Sequence, residues 1–320
     1  MAGIPEALER VRSLTLPPAA LLEVPLAVAG VGLSGGPARL LAARAPRGRY
    51  LSLSGATEAE PTPGALALFS SGLSPNARRA GRVGPGARVY FGSVDPDEPG
   101  DRGRALRRFL GTRESWVVPL PSDPPHDALV RFVDPAAATF AALRWLDRVR
   151  PVPGLDEVPG AYHAALGRAP EHDPSVGDEA TVVMVTAGID PAEAHGLVVK
   201  WAEGTLCALP HLVDGLELAH GPLQTLAGRR ALVLGLETEA TDRSVIEAAL
   251  RYRDEDVRVD VGRLGGRNGL RVIAVRGDFT AAIRIDKSST RRRNTQETFI
   301  VLMPGADASL QLLRSRPEPW

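Results

Sequence analysis

Short apolar runs of strand length, alternating with helical stretches across glycine- or serine-rich turns, constrain the fold of this chain more than any other feature. The first block opens on an apolar run at residues 25–30, then a glycine-rich turn and a helical stretch over 37–45. Further apolar runs follow at 50–53, 65–69, 88–91 and 116–120, with helical patterning at 104–110 and 136–149. Runs this short and this uniformly apolar suit strands buried on both faces, which occur in parallel sheets covered by helices. The pattern therefore predicts an α/β fold with a doubly wound parallel sheet.

A second block restarts the same alternation. Residues 181–186 form a strand-like run leading into Gly188 and a helix over about 191–206. Strand candidates follow at 231–236, 257–261 and 270–275, with a helix over 242–252. Between the blocks, proline and glycine accumulate over 151–177, around a short helical stretch at 161–166. The expected organisation is one domain over residues 1–155, a connector over 156–177 and a second domain over 178–320.

Composition removes several function classes. Lys and Arg together number 38, as do Asp and Glu, so the net charge is zero and nothing favours nucleic acid or an anionic membrane. No apolar run reaches the length of a membrane span, and the first residues lack a basic segment followed by an apolar one. A cytoplasmic protein is expected. One cysteine, Cys207, lies in an apolar run, which excludes an internal disulfide and reads as a buried thiol. The six histidines show no metal-ligand spacing, so neither a metal nor another cofactor is expected.

Two turns invite ligand chemistry. Gly30-Val31-Gly32-Leu33-Ser34-Gly35 matches G-x-G-x-x-G between a strand and a helix. A dinucleotide site also wants an acid about twenty residues on. The second strand ends in Leu51-Ser52-Leu53-Ser54-Gly55, with no acid before Glu58. A nicotinamide cofactor is therefore not expected, and a tight turn needing glycine accounts for the motif. The second turn, Ser70-Ser71-Gly72-Leu73-Ser74-Pro75-Asn76, follows an apolar strand and offers hydroxyls and N–H groups at a helix start. Such groups cradle an anion; ordinary capping by Ser74 with Pro75 in the first turn uses the same ones.

The chemistry-bearing segment runs from Lys200 to Leu226. Lys200 and Glu203 are three apart, and so are Glu217 and His220, which precede Gly221-Pro222. On a helix that spacing shares one face. A cation, two carboxylates and an imidazole in an apolar run suit proton transfer; a solvated ion pair fits the spacing equally. The chain holds two lysines, Lys200 and Lys287, against a large excess of arginine. Lysine is the compact cation whose basicity is tunable. The tail beyond Arg284 carries Arg291-Arg292-Arg293, a basic run that reads as solvated surface.

These segments resemble the sugar isomerase (SIS) family, in the tandem arrangement of the isomerase half of glucosamine-6-phosphate synthase. As architecture the resemblance covers roughly residues 20 to 280. It is specific in Lys200-x-x-Glu203 followed by Glu217-Leu218-Ala219-His220-Gly221-Pro222-Leu223, and more weakly in the loop Ser71-Gly72-Leu73-Ser74. It implies two tandem flavodoxin-like domains and a phosphosugar substrate. The glutamate matching Glu203 would be the base that moves a proton between C1 and C2 of the open-chain sugar. The histidine matching His220 would assist ring opening, often from the neighbouring subunit of a dimer, and Lys200 would contact the sugar. Ser34, Ser70, Ser71, Gly72, Ser74, Asn76 and Glu217 would bind substrate, with Lys287 beside Ser288 as counterpart of a second family lysine. Reaction classes consistent with the resemblance are aldose–ketose isomerisation and amino-sugar phosphate isomerisation or deamination. Glutamine-dependent amidotransfer by this chain alone is not expected, because no N-terminal cysteine nucleophile is present. Two positions depart from the pattern: Phe69 stands where the loop's first serine is usual, and Leu33 where threonine is common. A non-catalytic phosphosugar-binding protein is the alternative that these departures favour.

Overall fold

The computed structural model describes residues 3–55, 64–122, 133–152 and 154–167 continuously. Beyond these it describes 181–187, 194, 196, 198–199, 202, 209–219, 231–237, 270–276, 282–285, 298–301 and 311–313. The chain divides into two compact units, Met1–Pro159 and Gly160–Trp320.

In the first unit, β1 (Leu26–Gly30) and β3 (Ala65–Phe69) are buried at every residue. With β2 (Gly48–Tyr50), β4 (Ala87–Gly92) and β5 (Ser115–Pro119) they form a five-stranded sheet in the order β2-β1-β3-β4-β5. Every pairing in it is parallel. The continuous apolar runs follow directly, because the central strands meet helices on both faces. On one face α1 (Gly3–Arg12), α2 (Gly35–Arg44) and α4 (Val133–Asp147) pack together. There Phe69 stacks on Phe91 with centroids 4.5 Å apart, and Phe91 meets Trp145 of α4 at 5.6 Å. On the other face α3 (Asp101–Leu110) and a 3-10 helix (Ala77–Arg82) bury Leu106, Phe109, Ala77 and Ala80 against Leu66, Leu68 and Tyr90.

Several elements depart from the sequence reading. Helix α1 was not evident, yet Ile4, Ala7, Leu8 and Val11 repeat at helical spacing and are all buried. The second strand ends at Tyr50 rather than reaching residue 53. Leu51 and Leu53 are nevertheless core residues, and the Leu51 N–H donates to the Val28 carbonyl at 2.8 Å. The segment after Asn76 is a 3-10 helix of six residues rather than an α-helix.

The second unit contains β6 (Thr181–Ala187), β7 (His211–Asp214), β8 (Ala231–Glu237), β9 (Leu270–Arg276) and β12 (Gln311–Leu313) in one sheet. The order is β12-β9-β8-β6-β7, with β12 antiparallel and the other pairings parallel. Counted in chain order, its first four strands repeat the arrangement of the first sheet. Strands β10 (Ala282–Ile285) and β11 (Thr298–Val301) form a separate antiparallel pair. Residues 194, 196, 198, 199 and 202 are helical, as the apolar periodicity predicts, with Ala194 and Val198 buried one turn apart. Neither β7 nor the strands after β9 were evident from the sequence. The strand expected at 257–261 and the helix expected at 242–252 lie outside the described residues.

Candidate functional site

In the first sheet the strand order reverses between β1 and β3. Ligands of open parallel sheets enter at such a reversal, outside the carboxyl ends of the strands. Gly30 and Phe69 are register partners there, so the two turns singled out from the sequence leave the sheet side by side.

The turn after β1 is explained by backbone packing. A Cβ on Gly30 would lie 2.1 Å from the Ser34 carbonyl oxygen, so no side chain fits. Gly32 has φ +60°, which suits glycine. Residues Gly32–Ser34 make a 3-10 turn that feeds into α2, and the half-buried Ser34 makes no side-chain cap hydrogen bond. Beside it the Tyr50 hydroxyl donates to the Gly30 carbonyl at 2.9 Å, and the Arg39 guanidinium lies 4.0 Å above the Tyr50 ring.

The loop after β3 is organised from inside the protein. The Ser70 N–H donates to the Phe91 carbonyl, and the Tyr90 hydroxyl donates to the Ser70 carbonyl at 2.6 Å. The Ser71 carbonyl accepts from the Ser93 N–H at 3.1 Å and from its hydroxyl at 2.7 Å. The Leu73 carbonyl accepts Nε of Arg78 at 3.0 Å, and the Ser74 carbonyl accepts the Arg78 N–H. Four loop carbonyls are thereby drawn inward. Among the described residues, the N–H groups of Ser71, Gly72, Leu73 and Ser74 donate to no backbone carbonyl. The reversal needs Leu73 at φ +50°, a costly conformation for a branched side chain, held because Leu73 is fully buried in the core.

Tyr90 is fully buried, and burial pushes its phenol well above the ordinary tyrosine range, so it remains a neutral donor. Gly92 is required beside it: a Cβ there would lie 2.1 Å from the Ser70 carbonyl and 2.3 Å from the Tyr90 hydroxyl. Arg78 also pairs with Asp101, whose carboxyl is held below its ordinary pKa first by that hydrogen bond. Glu98 is lowered in the same way by Arg102, which meets it at 2.9 Å.

Ser70 is 7% exposed; Ser71 and Gly72 are half-buried; Ser74 and Asn76 are exposed. The Ser74 hydroxyl accepts the Ala77 N–H at a long 3.4 Å, a weak cap. Phe69 is fully buried in its stack with Phe91, so it contributes nothing to the loop. In the second unit Glu217 is exposed on the short helix Gly215–Ala219, which begins where β7 ends. Lys200, Glu203, His220 and Lys287 lie outside the described residues. Sequence reasoning missed Tyr90, Ser93, Arg78 and Arg102, none of which carries a local signal. Among the described residues no group of His, Cys, Asp and Glu is arranged to hold a metal, and no helix is long and apolar enough to cross a membrane.

No protein-family model matches the sequence, and no curated protein matches it. Solved structures that it resembles include phosphosugar isomerases and a deaminase, and it shares their parallel-sheet α/β fold. One is glucosamine-6-phosphate deaminase from Thermotoga maritima, with TM-score 0.53 and 15% identity, covering 86% of this chain and 82% of that one. Another is tagatose-6-phosphate ketose/aldose isomerase from Escherichia coli, with TM-score 0.54 and 14% identity, covering 84% and 82%. A third is the C-terminal domain of glucosamine-fructose-6-phosphate aminotransferase from Francisella tularensis, with TM-score 0.54 and 13% identity, covering 92% and 85%. At these identities the likeness is one of fold.

Proposed function

We propose that this chain is a phosphosugar isomerase, either an aldose–ketose isomerase or an amino-sugar phosphate isomerase or deaminase, built from two tandem SIS domains. The observation that carries the reading is the Ser70–Asn76 loop, whose carbonyls are tied inward at the point where the first sheet reverses its strand order. N–H groups that donate to no backbone carbonyl among the described residues, together with serine hydroxyls, suit a phosphate ester at that place. Two of the structural neighbours, a glucosamine-6-phosphate deaminase and a tagatose-6-phosphate ketose/aldose isomerase, support the same substrate class.

In this reading the phosphate fixes the substrate, and the chemistry lies at the other end of the sugar. His220 assists ring opening to the free carbonyl form. Glu203 then removes the proton from the carbon beside that carbonyl. The electron pair moves to form an enediol, and the carbonyl oxygen gains a proton. Glu203 returns its proton to the former carbonyl carbon, while the neighbouring hydroxyl gives up its proton to become the new carbonyl. That loss offsets the proton gained by the first oxygen, so the balance closes within the sugar. Lys200 supplies positive charge to the developing oxyanion, where a cation contributes most. Ser34, Glu217 and Lys287 complete the substrate contacts. A homodimer with sites near its interface follows if His220 serves the neighbouring subunit.

The test is NMR of fructose 6-phosphate and glucosamine 6-phosphate with the protein in deuterated water. Deuterium entering at C1 or C2, and disappearing in Glu203→Gln, is the expected result. Exchange at the wild-type rate in Glu203→Gln refutes the assigned base. A second reading, a non-catalytic phosphosugar sensor, is favoured by Phe69 and Leu33 standing where the resembled family usually has polar residues. Binding without exchange supports that reading instead.

A further inference from the structure

We propose that Arg102 is the cationic arm of the Ser71–Ser74 loop and takes the phosphate ester of the substrate through Nη1. This rests on the reading of the loop as the phosphate site. Arg102 opens the first turn of α3, thirty positions beyond Gly72 in the chain. A Cβ placed on Gly72 would lie 3.9 Å from Nη1 of Arg102, so the guanidinium lies beside the loop at Gly72. Its other two nitrogens are engaged: Nε donates to Oε1 of Glu98 at 2.9 Å and Nη2 to Oε2 at 3.0 Å. That two-point pairing sets the plane of the fork and leaves Nη1 facing the loop.

The support behind the pair is itself braced. The Glu98 N–H donates to the Asp95 carbonyl, and the Asp97 N–H to Oδ1 of Asp95 at 2.7 Å. Gly103 allows this turn to press onto α3, because a Cβ there would lie 2.0 Å from the Glu98 carbonyl oxygen. An exposed pair of this kind contributes little to stability, and the Arg102 side chain is 49% exposed. Its held orientation therefore has a use outside folding: a directed N–H pair and a positive charge beside Gly72. In that loop the N–H groups from Ser71 to Ser74 donate to no backbone carbonyl among the described residues. The ligand class is a phosphate monoester, for which a planar, permanently charged donor is well suited.

The experiment is calorimetric titration of the full chain with fructose 6-phosphate and, as an uncharged control, fructose. Wild type is compared with Arg102→Ala, Arg102→Lys and the double variant Ser71→Ala/Ser74→Ala. Arg102→Ala is expected to weaken the phosphosugar about ten- to a hundredfold, the range for a hydrogen bond to a charged group. Its melting temperature should stay at the wild-type value. Arg102→Lys should recover part of the loss, and the salt dependence of binding should flatten in Arg102→Ala. Weakened binding in the serine variant with Arg102→Ala within twofold of wild type overturns the role of Arg102 while leaving the loop reading intact. Wild-type affinity in both variants, or no binding of fructose 6-phosphate by wild type, overturns both.

Discussion

Replacing Tyr90 by phenylalanine removes one oxygen from the centre of the loop's support and nothing else. The hydroxyl is fully buried and donates to the Ser70 carbonyl at 2.6 Å; a second, longer contact reaches the Ser71 carbonyl at 3.4 Å. The Ser71 carbonyl keeps both of its bonds from Ser93. The ring remains, so no cavity penalty arises. The cost is therefore that of stranding one buried acceptor, about 2 kcal/mol at pH 7. For a unit of this size that is about 4–8 °C in melting temperature. The deficit should shrink at high pH. Folding holds the phenol protonated above its ordinary pKa of 10.0, while the unfolded chain's tyrosine ionises there. Above that pH the unfolded state binds fewer protons, and wild type loses about 1.4 kcal/mol per pH unit that Tyr90→Phe does not lose. At pH 11 the two proteins should differ by only about 0.6 kcal/mol. Urea unfolding at pH 7, 10 and 11 measures this. Equal stability at pH 7, or a gap that stays constant to pH 11, refutes the account of the loop as held from below by Tyr90.

Phe69→Ser restores the residue usual in the SIS loop and should nevertheless fail to improve fructose 6-phosphate binding, because position 69 faces Phe91 rather than the loop. It should cost about 3–5 kcal/mol in urea unfolding through the lost aromatic packing; a tenfold affinity gain would overturn this placement. Gly30→Ala should destabilise by about 1–3 kcal/mol, since its Cβ would meet the Ser34 carbonyl at 2.1 Å. Gly3→Ala, with nothing within 4 Å, should change stability by less than about 0.5 kcal/mol, and equal effects in thermal melts would contradict the steric argument.

The alternation of buried strands and helices was legible without coordinates, because period and local apolarity are properties of neighbouring residues. Residues 65–69 were read as a strand with the observed bounds, and the parallel α/β class followed. The two turns were legible as glycine- and serine-rich punctuation, and the Lys200–His220 segment as a set of chemical groups. Strand order was not legible, since hydrogen-bond partners in a parallel sheet are set by long crossovers rather than by local sequence. Only the tertiary structure placed Gly30 beside Phe69, brought Tyr90 under Ser70 from twenty residues away, and set Arg102 beside Gly72. It also turned Phe69 into the core, although the residue borders a loop in sequence. A side chain's face depends on the register of its strand, and register is decided by packing against elements far along the chain. Groups of the kind that bind a phosphate are thus written locally; whether they are aimed at it is decided by contacts made across the fold.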